Sequence, residues 1–436
     1  MDATHEEIKN SKRWWQLVGC VVMMMAIANL QYAWTLFTIP LTKAFGVKLS
    51  TVQLAYTMFI LFETWLVPFE GYLIDKLGAR RVVSVGALLV GASWIGSGMV
   101  QSVAGLYFWY SVGGVGAGAV YGACMGMALK WFPDHRGLAA GLTAGSYGFG
   151  TALTVLPIQY LINGSGYQSA FIIFGIVQGV IVLVLAQFMM SPPAGWLPHD
   201  WHAPVSVATT KISYTPLQMV RSSTFYLMYF MMTLVAFGGL MVTAQLRPIA
   251  ASYGLDNYVM IFGMTALSIA MMLDRILNGL TRPFWGWVSD HIGRYNTMGL
   301  AFGLEAIAKI ALVLLVSNPV AFVLLTGLTF FAWGEIFSLF PATIGDVFGP
   351  KYATTNYGIQ YTSKGLASIF AGWGAAVLVE MTGSWLPALW VGVVCDVVAA
   401  LLAVLALKPL VAARMKKYEH LEPEILHRHE PHPAKV

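Results

Sequence analysis

The chain has 436 residues, of which 58% are apolar and only 10% charged, and its formal net charge is +5. Soluble domains carry about 25% charged residues, so this deficit, with a mean hydropathy of +0.69, excludes a soluble globular domain. The apolar runs are continuous rather than alternating at a period of two, which excludes an outer-membrane barrel.

Met1 to Arg13 is polar, and the apolar run after it is too long for the core of a cleaved signal, so none is expected. About 20 apolar residues cross a bilayer as a helix. That ruler predicts twelve transmembrane helices, at 14–40, 51–74, 82–102, 104–130, 138–163, 168–190, 222–252, 258–288, 296–317, 319–346, 354–380 and 384–407. Ser191 to Arg221 is polar and holds Pro192, Pro193, Pro198, Pro204 and Pro216. It divides an all-α membrane protein into a six-helix half at 1–190, a linker at 191–221, a second six-helix half at 222–410 and a tail at 411–436.

Basic residues in short loops set orientation. Lys9, Lys12, Arg13, Lys76, Arg80, Arg81, Lys130, Arg136, Lys211, Arg221, Arg294, Lys351, Arg414, Lys416 and Lys417 fall on one side, Lys43 and Lys48 on the other, with Arg247 near a span end. The first side is expected to be cytoplasmic and to hold both termini. Cys20, Cys124 and Cys395 lie within apolar runs and read as free thiols. His420, His427, His429 and His432 read as a solvated tail, and no Cys/His set has metal-ligand spacing. No metal, cofactor or nucleic acid is expected, and the chain is expected to be a monomer.

The two halves repeat each other. Gly71-Tyr-Leu-Ile-Asp75-Lys-Leu-Gly78-Ala-Arg80-Arg81 joins the second and third spans, and Gly286-Trp-Val-Ser-Asp290-His-Ile-Gly293-Arg294 joins the eighth and ninth. Gln31 and Gln245 keep nearly the same offset. Two like halves around a midplane site are a recurrent transporter plan.

These duplicated loops resemble the signature of the major facilitator superfamily. Trp131-Phe-Pro-Asp-His-Arg136-Gly137-Leu-Ala-Ala-Gly141 points to one branch of it, as do Gln31-Tyr-Ala-Trp-Thr and Asn278-Gly-Leu-Thr-Arg-Pro-Phe-Trp-Gly-Trp-Val-Ser-Asp290. Phe331-Ala-Trp-Gly and Asn356-Tyr-Gly...Lys364...Ala-Ser-Ile-Phe370 complete the set. They are similar to the bacterial oxalate:formate antiporter family, over nearly the whole chain except linker and tail. The resemblance implies the major facilitator fold, a location in the bacterial inner membrane and exchange of small carboxylate anions by alternating access. Asp75, Arg80, Asp290 and Arg294 are then expected to form a cytoplasmic gate pairing across the two halves; a basic loop that merely fixes topology is the plainer reading.

Arg275, Asn278 and Arg282 recur at i, i+3 and i+7, one helix face, with Asp274 at its edge and Pro283 expected to bend the helix. Tyr357, Tyr361, Lys364 and Ser368 form a second polar stripe. Such stripes face protein or a water-filled cavity rather than lipid. Arg282 has a plainer alternative in snorkelling to the headgroups. The resemblance implies that Arg282 and Lys364 are the two cations that hold the anion, with Gln31, Tyr32, Gln53, Tyr121 and Trp333 in the cavity. Phe337 stands where the family resemblance implies a tyrosine.

Glu63 and Glu335 depart from the pattern. They read either as structural partners of Arg275 or as protonatable groups that set coupling or selectivity. Glu305 and Lys309, at i, i+4, are expected to pair. Gly114-Val-Gly116-Ala-Gly118 lies within a span and reads as close helix packing, not a dinucleotide loop. Two unpaired cations would make the empty carrier slow to change sides and favour exchange. An ionised Glu63 or Glu335 would favour proton-coupled symport of a monocarboxylate. A third reading, of another class, is a membrane sensor that binds without carrying.

Overall fold

The computed structural model describes residues 2–192, 213–349 and 352–419. The side chains of 2–11, Asp75, Arg136, Gly137 and 415–419 lie outside the description, as do most of the expected linker with Lys211, then Lys351, and the tail histidines from His420 onward. The described chain is helical almost throughout, with one two-stranded hairpin.

Nine segments are long and apolar enough to cross a membrane. Seven of them are single helical spans: α1 (Lys12–Phe45), α3 (Ala79–Met99), α4 (Val103–Trp131), α7 (Ser223–Ser252), α9 (Arg294–Leu315), α10 (Pro319–Phe348) and α11 (Ala353–Thr382). An eighth, α12, runs Leu386–Arg414. The ninth, Leu138–Gln187, is 50 residues long and turns back at Gly166, whose φ of 86° ends one helix and starts another. It therefore supplies two spans, α5 (136–165) and α6 (167–187). A bent pair, Leu49–Trp65 and Val67–Leu77, makes α2, with a change of direction of 46° at the break. The remaining span, α8 (Ala266–Ile292), is long enough but too charged to qualify by composition. Twelve spans are thus present among the described residues, as the sequence suggests.

Two boundaries differ from the sequence reading. The span expected at 258–288 starts eight residues later, because Val259–Ile261 (β1) and Met264–Thr265 (β2) pair as a hairpin. Phe262 and Gly263 both take positive φ, 51° and 72°, as a two-residue hairpin turn requires. The apolar β-branched residues of this hairpin are indistinguishable from the start of a span by hydropathy alone. Secondly, α8 ends at Ile292, four residues beyond the expected 288, with Pro283 inside the helix.

The duplication expected from the loop motifs is visible in backbone geometry. Gly78 adopts φ 86°, ψ 145° and Gly293 adopts φ 84°, ψ 152°. Only glycine occupies this region without strain. Small residues bring helices together elsewhere. A Cβ on Gly114 would strike the Phe59 carbonyl, and one on Gly116 would lie 2.8 Å from the Gly86 carbonyl. The glycine stripe of α4 therefore serves packing against α2 and α3.

Helix ends carrying Arg13, Arg80, Arg294 and Lys408 lie on one side, the basic face; Lys48, the 259–265 hairpin and Glu380 lie on the far face. Hydrogen bonds between the halves run from the far face to mid-membrane. Ser50 donates twice to the Glu380 carboxylate, at 2.8 and 2.9 Å. Arg247 donates to Thr35 Oγ1 and to the Leu36 carbonyl. Gln53 donates to Gln245 Oε1 and to the Ala244 carbonyl, both at 2.8 Å, and Gln245 donates to the Gly372 carbonyl. That acceptor lies in a π-helical turn, Ile369–Gly374, whose wide turn turns carbonyls away from the helix ladder.

Candidate functional site

The centre is built by seven spans. From α11, the Lys364 ammonium donates to Glu63 Oε2 at 2.8 Å, Gln31 Oε1 at 2.9 Å and the Tyr361 hydroxyl at 3.1 Å. Glu63 comes from α2 and Gln31 from α1, so a single ammonium joins the two halves. Tyr147 of α5 donates to Glu63 Oε1 at 2.8 Å and lies 3.0 Å from Gln31 Oε1. Lys364 and Glu63 are each 1% exposed, so the pair is wholly removed from water, and removing one partner would strand the other.

Arg282 reaches the same centre from α8. Its guanidinium donates to the Ala144 carbonyl and stands 4.9 Å from the centre of the Phe337 ring; Lys364 stands 5.7 Å from that same ring. No carboxylate pairs with Arg282 among the described residues, and its Nε has no partner. Close approach of α8 to α5 makes the reach possible. Gly145 and Gly148 sit against the carbonyls of Gly279 and Asn278, at 3.0 and 3.1 Å from where a Cβ would be.

Aromatic rings complete the enclosure. Tyr121 stacks on Tyr361 at 6.0 Å, meets Tyr147 edge-on at 5.4 Å and interacts with Arg282. Tyr32 lies 5.4 Å from Tyr147. Trp333 meets Phe337 edge-on at 5.3 Å, donates to the Val235 carbonyl and packs on Gly239, where a Cβ would strike the indole.

Arg282, Lys364, Gln31, Tyr32, Tyr121 and Phe337 are thus brought together. Gln53 is buried but bonded to Trp34, Ala244 and Gln245, in the far-face closure rather than beside Lys364. Arg275 sits one layer aside, sandwiched between Tyr32 at 4.4 Å and Phe330 at 4.0 Å, next to buried Asp274. Its expected partners are therefore corrected: Glu63 pairs with Lys364, and Glu335 is fully buried with neither oxygen bonded. The reason is reach, since Glu335 lies at the break in α10 between Trp333 and Ile336.

Residues of the expected cytoplasmic gate bond inside their own halves. Arg80 donates to Gln187, and Arg294 pairs with Asp290 at 2.8 Å and with Asp346 at 3.2 Å. The side chain of Asp75 lies outside the described residues. Glu305 and Lys309 do pair, at 2.6 Å, and Asp396 of α12 joins them at 2.7 Å in a fully buried triad. Gly238 makes room for it, since a Cβ there would strike the Lys309 ammonium. Sequence reasoning missed Tyr147 and Asp396; each is a single polar residue in an apolar or small-residue run, and that isolation is the signal that would have found them.

The family model described as Major Facilitator Superfamily matches residues 19–280 and 265–427. The chain is 35% identical over 414 residues to the oxalate:formate antiporter of Oxalobacter formigenes, covering 94% of this chain and 95% of that protein. It is 25% identical to a probable sulfoacetate transporter of Cupriavidus necator, over 90% of this chain and 94% of the other. It is 21% identical to monocarboxylate transporter 12 of Rattus norvegicus, over 93% and 86%.

Proposed function

Because the chain belongs to the major facilitator superfamily, and within it to the bacterial oxalate:formate antiporter family, we propose that this multi-pass membrane transporter carries small carboxylate anions by exchange. The observation that supports this reading is two buried cations, Arg282 and Lys364, flanking one aromatic ring, Phe337, at the junction of the halves. An Arg fork suits a planar carboxylate, and Lys adds a point charge. Each charge pair is worth about 4 kcal/mol at an effective dielectric near 20. Gln31, Tyr32 and Tyr121 supply polar contacts around the anion, and Trp333 and Phe337 its apolar walls. Alternating access parts the far-face bonds while the basic face closes around Asp75, Arg80, Asp290 and Arg294. The protein works as a monomer in the bacterial inner membrane, with the basic face and both termini cytoplasmic.

Charge counting refines the substrate class. Arg282 and Lys364 against an ionised Glu63 leave a net charge of +1, which matches a monoanion such as formate. With Glu63 protonated the site carries +2 and matches a dianion such as oxalate. Proteoliposomes loaded with one carboxylate and offered another test this directly. Labelled oxalate or formate is expected to enter only against internal carboxylate, with Arg282→Gln and Lys364→Gln slowing entry about 10–100-fold, the loss of one charge-assisted bond. Failure to carry any of oxalate, formate, lactate or glyoxylate would reject the carboxylate reading.

The 2.8 Å pairing of Lys364 with Glu63 favours a second reading, proton-coupled symport of a monocarboxylate. A carrier that neutralises its own lysine crosses empty without stranding a charge. Efflux into substrate-free medium at the exchange rate would select symport; efflux far slower than exchange would select antiport.

A further inference from the structure

Below the Lys364–Glu63 pair, toward the basic face, α2 holds a second buried carboxylate that the site does not use. Glu70 is 5% exposed, and neither of its oxygens has a hydrogen-bond partner among the described residues. It lies seven residues after Glu63, two helical turns on, hence on the same side of the helix and about 10 Å further along it. The 46° break at Leu66 falls between them.

Gly118 of α4 links the two positions. A Cβ there would lie 2.7 Å from the Glu63 carbonyl and 2.8 and 2.9 Å from the Glu70 carboxylate oxygens. The stretch around Glu70 packs on α3, α4 and α11. Charged groups on these helices are Arg80 and Arg81 on α3, both exposed, Lys130 on α4, and Lys364 and Glu380 on α11, beside the neutral Tyr121, Cys124, Tyr357 and Tyr361; none of them hydrogen-bonds Glu70. A carboxylate buried without cation or donor persists only with its proton on.

We propose that Glu70 is a proton-binding residue through which Glu63 gains and loses its proton from the basic face. The step balances as one proton lost by the Glu70 carboxylic acid and one gained by the Glu63 carboxylate, handed across about 10 Å by water admitted from the basic face, leaving Glu70 ionised until that water returns a proton. Glu63, now neutral, releases Lys364, whose ammonium turns to the substrate carboxylate. Release of the substrate reverses each transfer. Gly118 is the floor that keeps Glu70 turned toward Glu63. This inference rests on the carboxylate-carrying reading and gives its Glu63 switch a source of protons.

The test uses the full-length protein in proteoliposomes, with a pH-reporting dye inside and the carboxylate that wild type exchanges fastest. Two rates are measured: exchange at equal pH, which reads the substrate site, and accumulation driven by an imposed pH gradient. Glu70→Gln is expected to exchange within about twofold of wild type while gradient-driven accumulation and substrate-linked proton entry fall at least tenfold. Glu70→Asp is expected to recover part of that loss. Gly118→Ala, which keeps the carboxylate but displaces it, is expected to lose accumulation as Glu70→Gln does, and it carries the test if Glu70→Gln does not fold. Gradient-driven accumulation by Glu70→Gln at the wild-type rate overturns the proposal. So does wild type that exchanges carboxylate without moving protons, and that result leaves the carboxylate reading standing. Wild type that exchanges no carboxylate removes both.

Discussion

Two arginines on one face of α8 have opposite surroundings, and their substitutions should separate accordingly. Arg275 is held between Tyr32 and Phe330 beside Asp274, whereas Arg282 donates to a backbone carbonyl and pairs with no carboxylate among the described residues. Arg275→Gln removes a buried cation held between two rings and is expected to cost about 2 kcal/mol or more of stability. Arg282→Gln is expected to leave thermal unfolding in detergent nearly unchanged and to weaken stabilisation by added carboxylate. Equal losses of stability in both would refute the distinction. The family resemblance placed Arg282 and Lys364 in one centre, and the sequence added that a charge in an apolar run must find a partner. It did not say which partner. Lys364 and Glu63 are 301 positions apart, and periodicity within a helix carries no information about the helix across the seam. Tyr147 and Asp396 were passed over for the same reason, since their partners lie on other spans.

At the level of single elements, loop and helix chemistry was the most readable part of the chain. Gly78 and Gly293 sit in duplicated motifs and share one backbone conformation, so repetition of sequence meant repetition of geometry. Neither has an atom within 4 Å of a would-be Cβ, which isolates conformation from crowding. Gly293→Ala is expected to cost about 1–3 kcal/mol by strain alone. Gly286→Ala, seven residues earlier in open space on the helix, is expected to be neutral or to stabilise by about 0.5–1 kcal/mol. Thermal melts of the two variants check both, and a harmless Gly293→Ala would refute the strained turn. The hairpin at 259–265 was not readable in advance, since a short apolar run suits strand and span alike. The triad on α9 was half-readable: Glu305 and Lys309 are neighbours on one helix, but Asp396 arrives from α12 by tertiary packing.

At the scale of the whole molecule, the bonds that join the halves among the described residues lie from the far face to mid-membrane, and they hold that side shut. Gln53 and Gln245 are its bolt, tied to each other, to Trp34 and to the wide turn at Ile369–Gly374. Gln245→Ala removes one buried hydrogen bond across the halves, from Gln53, worth about 1 kcal/mol, and is expected to raise the far-face-open population about fivefold. A cysteine at buried Thr38, introduced with Cys395→Ser, would report this through an impermeant thiol reagent, since the remaining Cys20 and Cys124 are buried. Unchanged labelling of Thr38→Cys in the Gln245→Ala background would show that the amides do not hold the far face shut.

The composition of α8 also has a consequence for how the protein is made. A helix centre admits an Asp or Arg at about 2.5–3.5 kcal/mol each during insertion, and α8 brings Asp274, Arg275 and Arg282. It cannot leave the insertion channel for lipid by its own apolarity. Its neutralising contacts come from two times in synthesis: Ala144 and Tyr32 belong to helices already in place, while Phe330 belongs to α10, not yet made. The first half therefore acts as a template on which the nascent α8 is received, and the same seam that later moves during transport first serves as the port of entry for the second half.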